Sequence, residues 1–149
     1  MKGGSCILFY KKYVAYVVKH LNIKDDLFWV GALDPNLRVF DIIMYTPYGT
    51  TYNSYVVKGS EKTAIFETVK AEFFDQYIAR LKDLGVEPSE IDYIVVSHTE
   101  PDHAGSIGKI LELAPKAKIV ASPIAINYIK EIVNGDFESI PVKDGDSIS

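Results

Sequence analysis

Residues 91–106 read IDYIVVSHTEPDHAGS, a continuous apolar run that breaks into a loop dense with titratable side chains. The run IDYIVVS predicts a strand buried on both faces. After the loop, Ile107, Ile110, Leu111 and Ala114 mark a short helix that Pro115 ends. A strand that runs through a loop into a helix places that loop at the strand's carboxyl end, where α/β proteins concentrate their chemistry. The chain has 3 histidines, and His98 and His103 both sit in this loop, with Glu100 and Asp102 between them.

Downstream, AKIVAS reads as another buried strand. Ser122-Pro123 supplies an N-cap with proline at the first helical position, and Ala125, Tyr128, Ile129 and Ile132 form the expected buried stripe. Asn134-Gly135 closes that helix, FESIPV is a strand, and Asp144-Gly145 is a hairpin turn signal. Only Asp146-Ser147-Ile148-Ser149 follow that signal, so the sequence is expected to be the first part of something larger. Upstream, LFWVGAL, TYNSYVV and TAIFETV are rich in aromatic and β-branched residues and predict consecutive antiparallel strands, with a turn at Lys58-Gly59-Ser60. Phe73, Phe74, Tyr77, Ile78, Leu81 and Leu84 then recur on one face of a helix that Gly85 stops.

At 149 residues, with 48% apolar and 24% charged side chains, the composition is that of a soluble globular domain. A net charge of −4 argues against a nucleic-acid surface, and the longest basic run, Lys11-Lys12, against an anionic membrane partner. The N-terminal apolar run Cys6–Tyr10 is far short of the roughly 20 residues of a membrane helix. Cys6 is the sole cysteine, which leaves no intrachain disulfide and no thiolate cluster, and a reducing cytoplasm is the expected location. Residues 1–21 read as an N-terminal extension ahead of a domain over 22–149, and His20 as an ordinary surface residue.

The loop residues also have structural roles open to them: a histidine near a strand end as a hydrogen-bonder, an aspartate as a helix cap. A phosphate cradle at Gly105-Ser106-Ile107-Gly108-Lys109 lacks the GxxxxGK spacing, and Glu100 and Asp102 would repel the anion. Nothing singles out Ser97 or Ser106 as an activated nucleophile. Metal ligation suits every residue type. His98 and Glu100, two apart in extended chain, project the same way and converge on one ion. Asp102 and His103, beyond the redirecting Pro101, reach a second. Mixed nitrogen and hard oxygen donors with no soft ligand favour iron or manganese, with zinc the lesser candidate.

With HTEPDHAGS preceded by IDYIVVS and followed by ELAPKAKI, the segment resembles the metal-binding stretch of the flavodiiron proteins, or A-type flavoproteins. LFWVGALD, YTPYGTTYNSYVV and ETVKAEFF resemble earlier segments of that family in the same order, so the likeness runs from Asn22 to Ser149. The wider metallo-β-lactamase superfamily shows His-x-His-x-Asp-His; Glu100 stands in the second histidine's place, as in flavodiiron proteins.

The resemblance implies an α/β fold of the metallo-β-lactamase-like αββα sandwich type, with only its N-terminal part present here. It implies a non-haem di-iron site followed by a flavodoxin-like domain holding FMN, and reduction of O2 to water or NO to N2O. It also implies an electron donor such as rubredoxin or a flavoprotein reductase, and a head-to-tail homodimer. By position, His98 and Glu100 would bind one iron and Asp102 and His103 the other, although the equivalent of His103 is not a ligand in every family member. Two further histidines and a bridging aspartate of the family have no counterpart after His103, and Glu67 stands where the family usually has aspartate. The chain by itself is therefore expected to be inactive and to hold iron weakly or not at all. Any metal it holds should leave below roughly pH 6, because ligating imidazole must be neutral. The rival expectations are a binuclear metal hydrolase of the metallo-β-lactamase fold and a non-catalytic half-domain needing a partner chain.

Overall fold

The computed structural model describes residues 19–148, so the Cys6–Tyr10 run and Lys11-Lys12 lie outside the described residues. A seven-stranded mixed sheet carries, from edge to edge, β1 (Leu21–Lys24), β2 (Leu27–Trp29), β7 (Tyr55–Lys58), β8 (Thr63–Phe66), β9 (Tyr93–Val95), β10 (Lys118–Ala121) and β11 (Ser139–Pro141). The strands from β1 to β8 pair antiparallel, and β8 through β11 pair parallel. Two small ribbons flank it, β3 (Ala32–Asp34) with β6 (Thr50–Tyr52) and β4 (Val39–Phe40) with β5 (Met44–Tyr45). Parallel neighbours need crossovers, and helices provide them. These are α1 (Phe74–Asp83), the short α2 (Pro101–Ala104) with α3 (Ile107–Leu113), and α4 (Pro123–Ile132). No helix among the described residues is long and apolar enough to cross a membrane.

The expected antiparallel strands are present, but LFWVGAL and TYNSYVV each divide in two. Val30 N–H donates to the Ser54 carbonyl at 2.9 Å and carries the pairing through the break. A Cβ at Gly31 would lie 2.1 Å from the Tyr52 carbonyl oxygen, so this crossing of the two chains needs glycine. The turn at Lys58-Gly59-Ser60 closes β7 on β8, with Gly59 N–H donating to the Lys62 carbonyl at 2.8 Å. Helix α1 buries Tyr77 and Leu81 as the periodicity requires, and Gly85 ends it at φ 71°. Burial pushes the Tyr77 hydroxyl well above its ordinary pKa.

Two expectations need correction. Strand β9 is not buried on both faces. Ile94 lies with Val56, Ile65 and Ile119 on the face under the helices, all fully buried, whereas Tyr93 and Val95 are only half-buried on the other face beside the exposed Phe66. The helical layer covers one side of the sheet, so the run is apolar for two different environments. Helix α4 has the Ser122 cap, whose Oγ accepts from Ala125 N–H at 3.2 Å. Its buried side is Ala125, Ile126 and Ile129, leaving Tyr128 and Ile132 exposed at 59% and 45%. Those two side chains lie on the far flank of the stripe, which a count of apolar residues alone does not separate from the core flank.

The Asp144-Gly145 turn forms, with Gly145 at φ 86° and Asp146 N–H donating to the Lys143 carbonyl at 3.1 Å.

Candidate metal centre

Parallel pairing puts Phe66 opposite Val95, so the chain leaves β8 and β9 side by side at their carboxyl ends. Glu67 sits there with φ 59°, a left-handed conformation that a side chain with a Cβ adopts rarely. Its Oε1 accepts from the Ser97 N–H at 2.8 Å and from the Ser97 hydroxyl, fixing the residue just before His98. Thr68, fully buried, donates from both its N–H and its Oγ1 to the His103 carbonyl, at 2.8 and 2.6 Å. Gly105 completes the clamp, because a Cβ there would be 2.3 Å from the Pro101 carbonyl and 3.0 Å from the Ala71 nitrogen. Glu100 precedes Pro101 at the start of α2, and its carbonyl accepts from the His103 and Ala104 N–H groups at 3.0 and 2.8 Å.

The four candidate ligands are brought to one place as two pairs. Asp102 Oδ2 and His103 Nε2 are 3.4 Å apart, and Glu100 Oε1 and His98 Nε2 are 3.9 Å apart. The two imidazoles face each other with centroids 5.0 Å apart and planes tilted by 42°. No three such side chains converge at ligating distance among the described residues. Two donors bonded to one cation at about 2.1 Å, at tetrahedral or octahedral angles, stand roughly 3.0–3.4 Å apart. The Asp102–His103 pair already has that spacing. The His98–Glu100 pair is wider, and the His98 Nδ1 lone pair accepts from the Glu100 N–H at 3.2 Å, which leaves the ring proton on Nε2. Ligation through His98 Nε2 therefore requires that contact to open.

Two buried atoms support the fit. Glu67 Oε2 and His103 Nδ1 have no hydrogen-bond partner, although they face one another at 3.8 Å. Together with the nitrogen–oxygen donor set, this fits a hard cation held on the opposite, Nε2, side of His103.

A cavity of about 250 Å³ opens beside Glu100 and Asp102, walled by Leu37, Val39, Phe40 and Tyr52. The Tyr52 hydroxyl donates to Asp34 Oδ2 at 3.0 Å, and burial, reinforced by Asp34, pushes its pKa well above the usual value. Of the aromatic stretch YTPYGTTYNSY, Tyr52 reaches this cavity, while Tyr45 and Tyr48 are exposed. His20 is elsewhere: its backbone N–H and Nδ1 lie 3.1 and 2.7 Å from Asp83 Oδ2, and these contacts hold that carboxyl below its usual pKa. Thr68 and Ser97 are the site residues that sequence reasoning did not single out. The available signal was position, since Glu67-Thr68 follows TAIF at the same sheet end as the loop.

The strand–loop–helix unit bearing this His-x-Glu-x-Asp-His string falls within a sequence match to the Metallo-beta-lactamase superfamily over residues 47–148. The chain belongs to that superfamily. Its mixed α/β architecture is the metallo-β-lactamase fold, as the resemblance implied. Within the superfamily, this member is 46% identical over 123 residues to the flavo-diiron protein FprA2 of Clostridium acetobutylicum, covering 83% of this chain and 30% of that one. It is 40% identical over 129 residues to a nitric oxide reductase of Moorella thermoacetica, covering 85% and 32%. It superposes on the rubredoxin oxygen:oxidoreductase of Desulfovibrio gigas with a TM-score of 0.81 at 35% identity, covering 87% and 32%. The resemblance to flavodiiron proteins is borne out. The chain spans about a third of the length of these relatives, between 30% and 32%.

Proposed function

We propose that residues 98–103 supply part of the ligand set of a non-haem di-iron centre in a flavodiiron oxidoreductase that reduces O2 to water or NO to N2O. The observation that carries the reading is the pair of imidazole–carboxylate couples at the carboxyl end of β9, with Glu100 where a second imidazole would suit zinc hydrolysis. His98 with Glu100 would hold one iron and Asp102 with His103 the other. Bound iron supplies a redox-active Lewis acid for a diatomic substrate.

The chain's own side chains do the rest of the work available to them. Leu37, Val39 and Phe40 wall a small cavity that Asp41, Glu100 and Asp102 also line, and these three carboxylates outnumber its one ammonium group, Lys70, which suits a small uncharged molecule better than an anionic ester. Tyr52 keeps its proton and directs it to Asp34, away from the loop, so it shapes the cavity and gives up no proton to the reaction. A flavodoxin-like domain of the complete protein would hold FMN as the source of electrons for the irons, with a head-to-tail homodimer as the assembly and rubredoxin or a flavoprotein reductase as the donor. Likeness to proteins named nitric oxide reductase and rubredoxin oxygen:oxidoreductase supports both substrates and that donor class. Residues 22–149 form the N-terminal portion of the di-iron domain behind an extension over 1–21, in a cytoplasmic protein.

The test is a chimera in which residues 22–149 replace the matching segment of the Clostridium acetobutylicum flavo-diiron protein. It should retain two irons per chain and consume O2 or NO with a reductase, and replacing His98, Glu100, Asp102 and His103 together should abolish both. Full activity after that fourfold replacement, or retention of zinc when both metals are offered, contradicts the proposal.

A further inference from the structure

We infer that Glu67 is a positioning residue that sets the tautomer of His103, holding the ring proton on Nδ1 so that Nε2 presents its lone pair beside Asp102; this rests on the metal-binding reading of the loop. Three observations meet at this side chain. Its backbone is left-handed at φ 59°, a conformation that a non-glycine residue keeps only where its surroundings enforce it. The outlier aims the side chain back across the strand end, where Oε1 is fully engaged by the two donors of Ser97. Oε2 is left buried with no partner and faces His103 Nδ1, also buried with no partner, at 3.8 Å.

That separation exceeds a hydrogen bond. A small side-chain rotation closes it, and the cost of two buried unpaired polar atoms drives the closure. A carboxylate oxygen only accepts, so the proton between them must be the imidazole's, on Nδ1. The other ring nitrogen is then an acceptor. It lies 3.4 Å from Asp102 Oδ2, which also only accepts, but the Asp102 side chain is 20% exposed and water can serve that oxygen, whereas Glu67 Oε2 and His103 Nδ1 are both buried, so the buried contact decides the tautomer. A metal-ligating histidine held through its second nitrogen by a carboxylate is the general pattern for fixing ring orientation and basicity. Glu67 thus links both halves of the loop, Ser97 before His98 through one oxygen and His103 through the other.

Glutamine at this position separates tautomer control from bulk. In Glu67→Gln, the amide oxygen stays with the two Ser97 donors, so the amide NH2 faces His103 Nδ1 and demands an acceptor there. The proton should move to Nε2. The measurement is long-range 1H–15N correlation of the histidine rings in the 149-residue chain without metal. It is made at about pH 8, where ordinary imidazole is neutral. The wild type should show His103 as the Nδ1–H tautomer and Glu67→Gln as the Nε2–H tautomer, with the His20 ring signals unchanged. Carried into the chimera, Glu67→Gln should then lower the affinity for Co(II) about 10- to 100-fold.

A wild-type His103 protonated on Nε2 overturns the inference and needs no variant, so a misfolded Glu67→Gln chain does not rescue it. An unchanged tautomer in a folded variant overturns it equally. Failure of the chimera to retain iron would instead sink the metal-binding reading, a result distinct from the tautomer spectra.

Discussion

Two acidic residues occupy opposite ends of the same pair of parallel strands. At the amino ends of β8 and β9, Asp92 accepts from Thr63 N–H at 2.9 Å through Oδ2 and from Lys62 Nζ at 3.1 Å through Oδ1. At the carboxyl ends, Glu67 bonds the neighbouring strand in the same way through Oε1, but its Oε2 has no partner. Ser106 Oγ and His103 Nδ1 at that end are also buried and unpaired. Satisfied polar groups fasten one end of the sheet. Unsatisfied ones at the other end leave valence for something else, and they surround the residues that sequence reasoning picked as ligands.

Mutation should reproduce that difference. Asp92→Asn keeps an acceptor for Thr63 but sets an amide against Lys62, and should destabilise by about 1 kcal/mol in urea denaturation. The sign with pH follows from the Asp92 carboxyl, which the Thr63 N–H, and then Lys62, hold below its usual pKa. A depressed folded-state pKa contributes stability above the unfolded value of about 3.9, and this is lost as pH falls through the folded value. The gap between wild type and Asp92→Asn should therefore be constant near neutrality and close in acid. A gap that widened in acid would refute that role.

Ser106→Ala at the other end should do less. Removing a hydroxyl that is buried without a partner leaves nothing newly unsatisfied, so stability should stay within about 0.5 kcal/mol or rise. A loss of 2 kcal/mol or more, a size reserved for named structural defects, would mean that this hydroxyl is already in use and that the two ends are built alike.

Much of this was legible locally. The α1 stripe, its glycine stop, the Ser122 cap and the β7–β8 turn each follow from residues close in sequence, where side-chain period and backbone preference decide the outcome. The candidate ligands were legible for the same reason, all lying in one loop. Their support was not, because Glu67 and Thr68 meet Ser97 and His103 only through the parallel pairing of β8 with β9. The division of LFWVGAL at Gly31 is also non-local, set by the Tyr52 carbonyl of another strand. Tyr93 and Val95 misled because an apolar residue reads the same whether helices cover it or not.

The most direct test of the carboxyl end as a metal site uses the chain's own histidines. Millimolar Mn(II) should broaden the ring signals of His98 and His103 more than those of His20, which lies against Asp83 and the Phe28 ring, outside the loop's two imidazole–carboxylate pairs. Equal broadening of all 3 histidines, or stronger broadening of His20 than of His98 and His103, would contradict the assignment of this loop as the place where the cations are held.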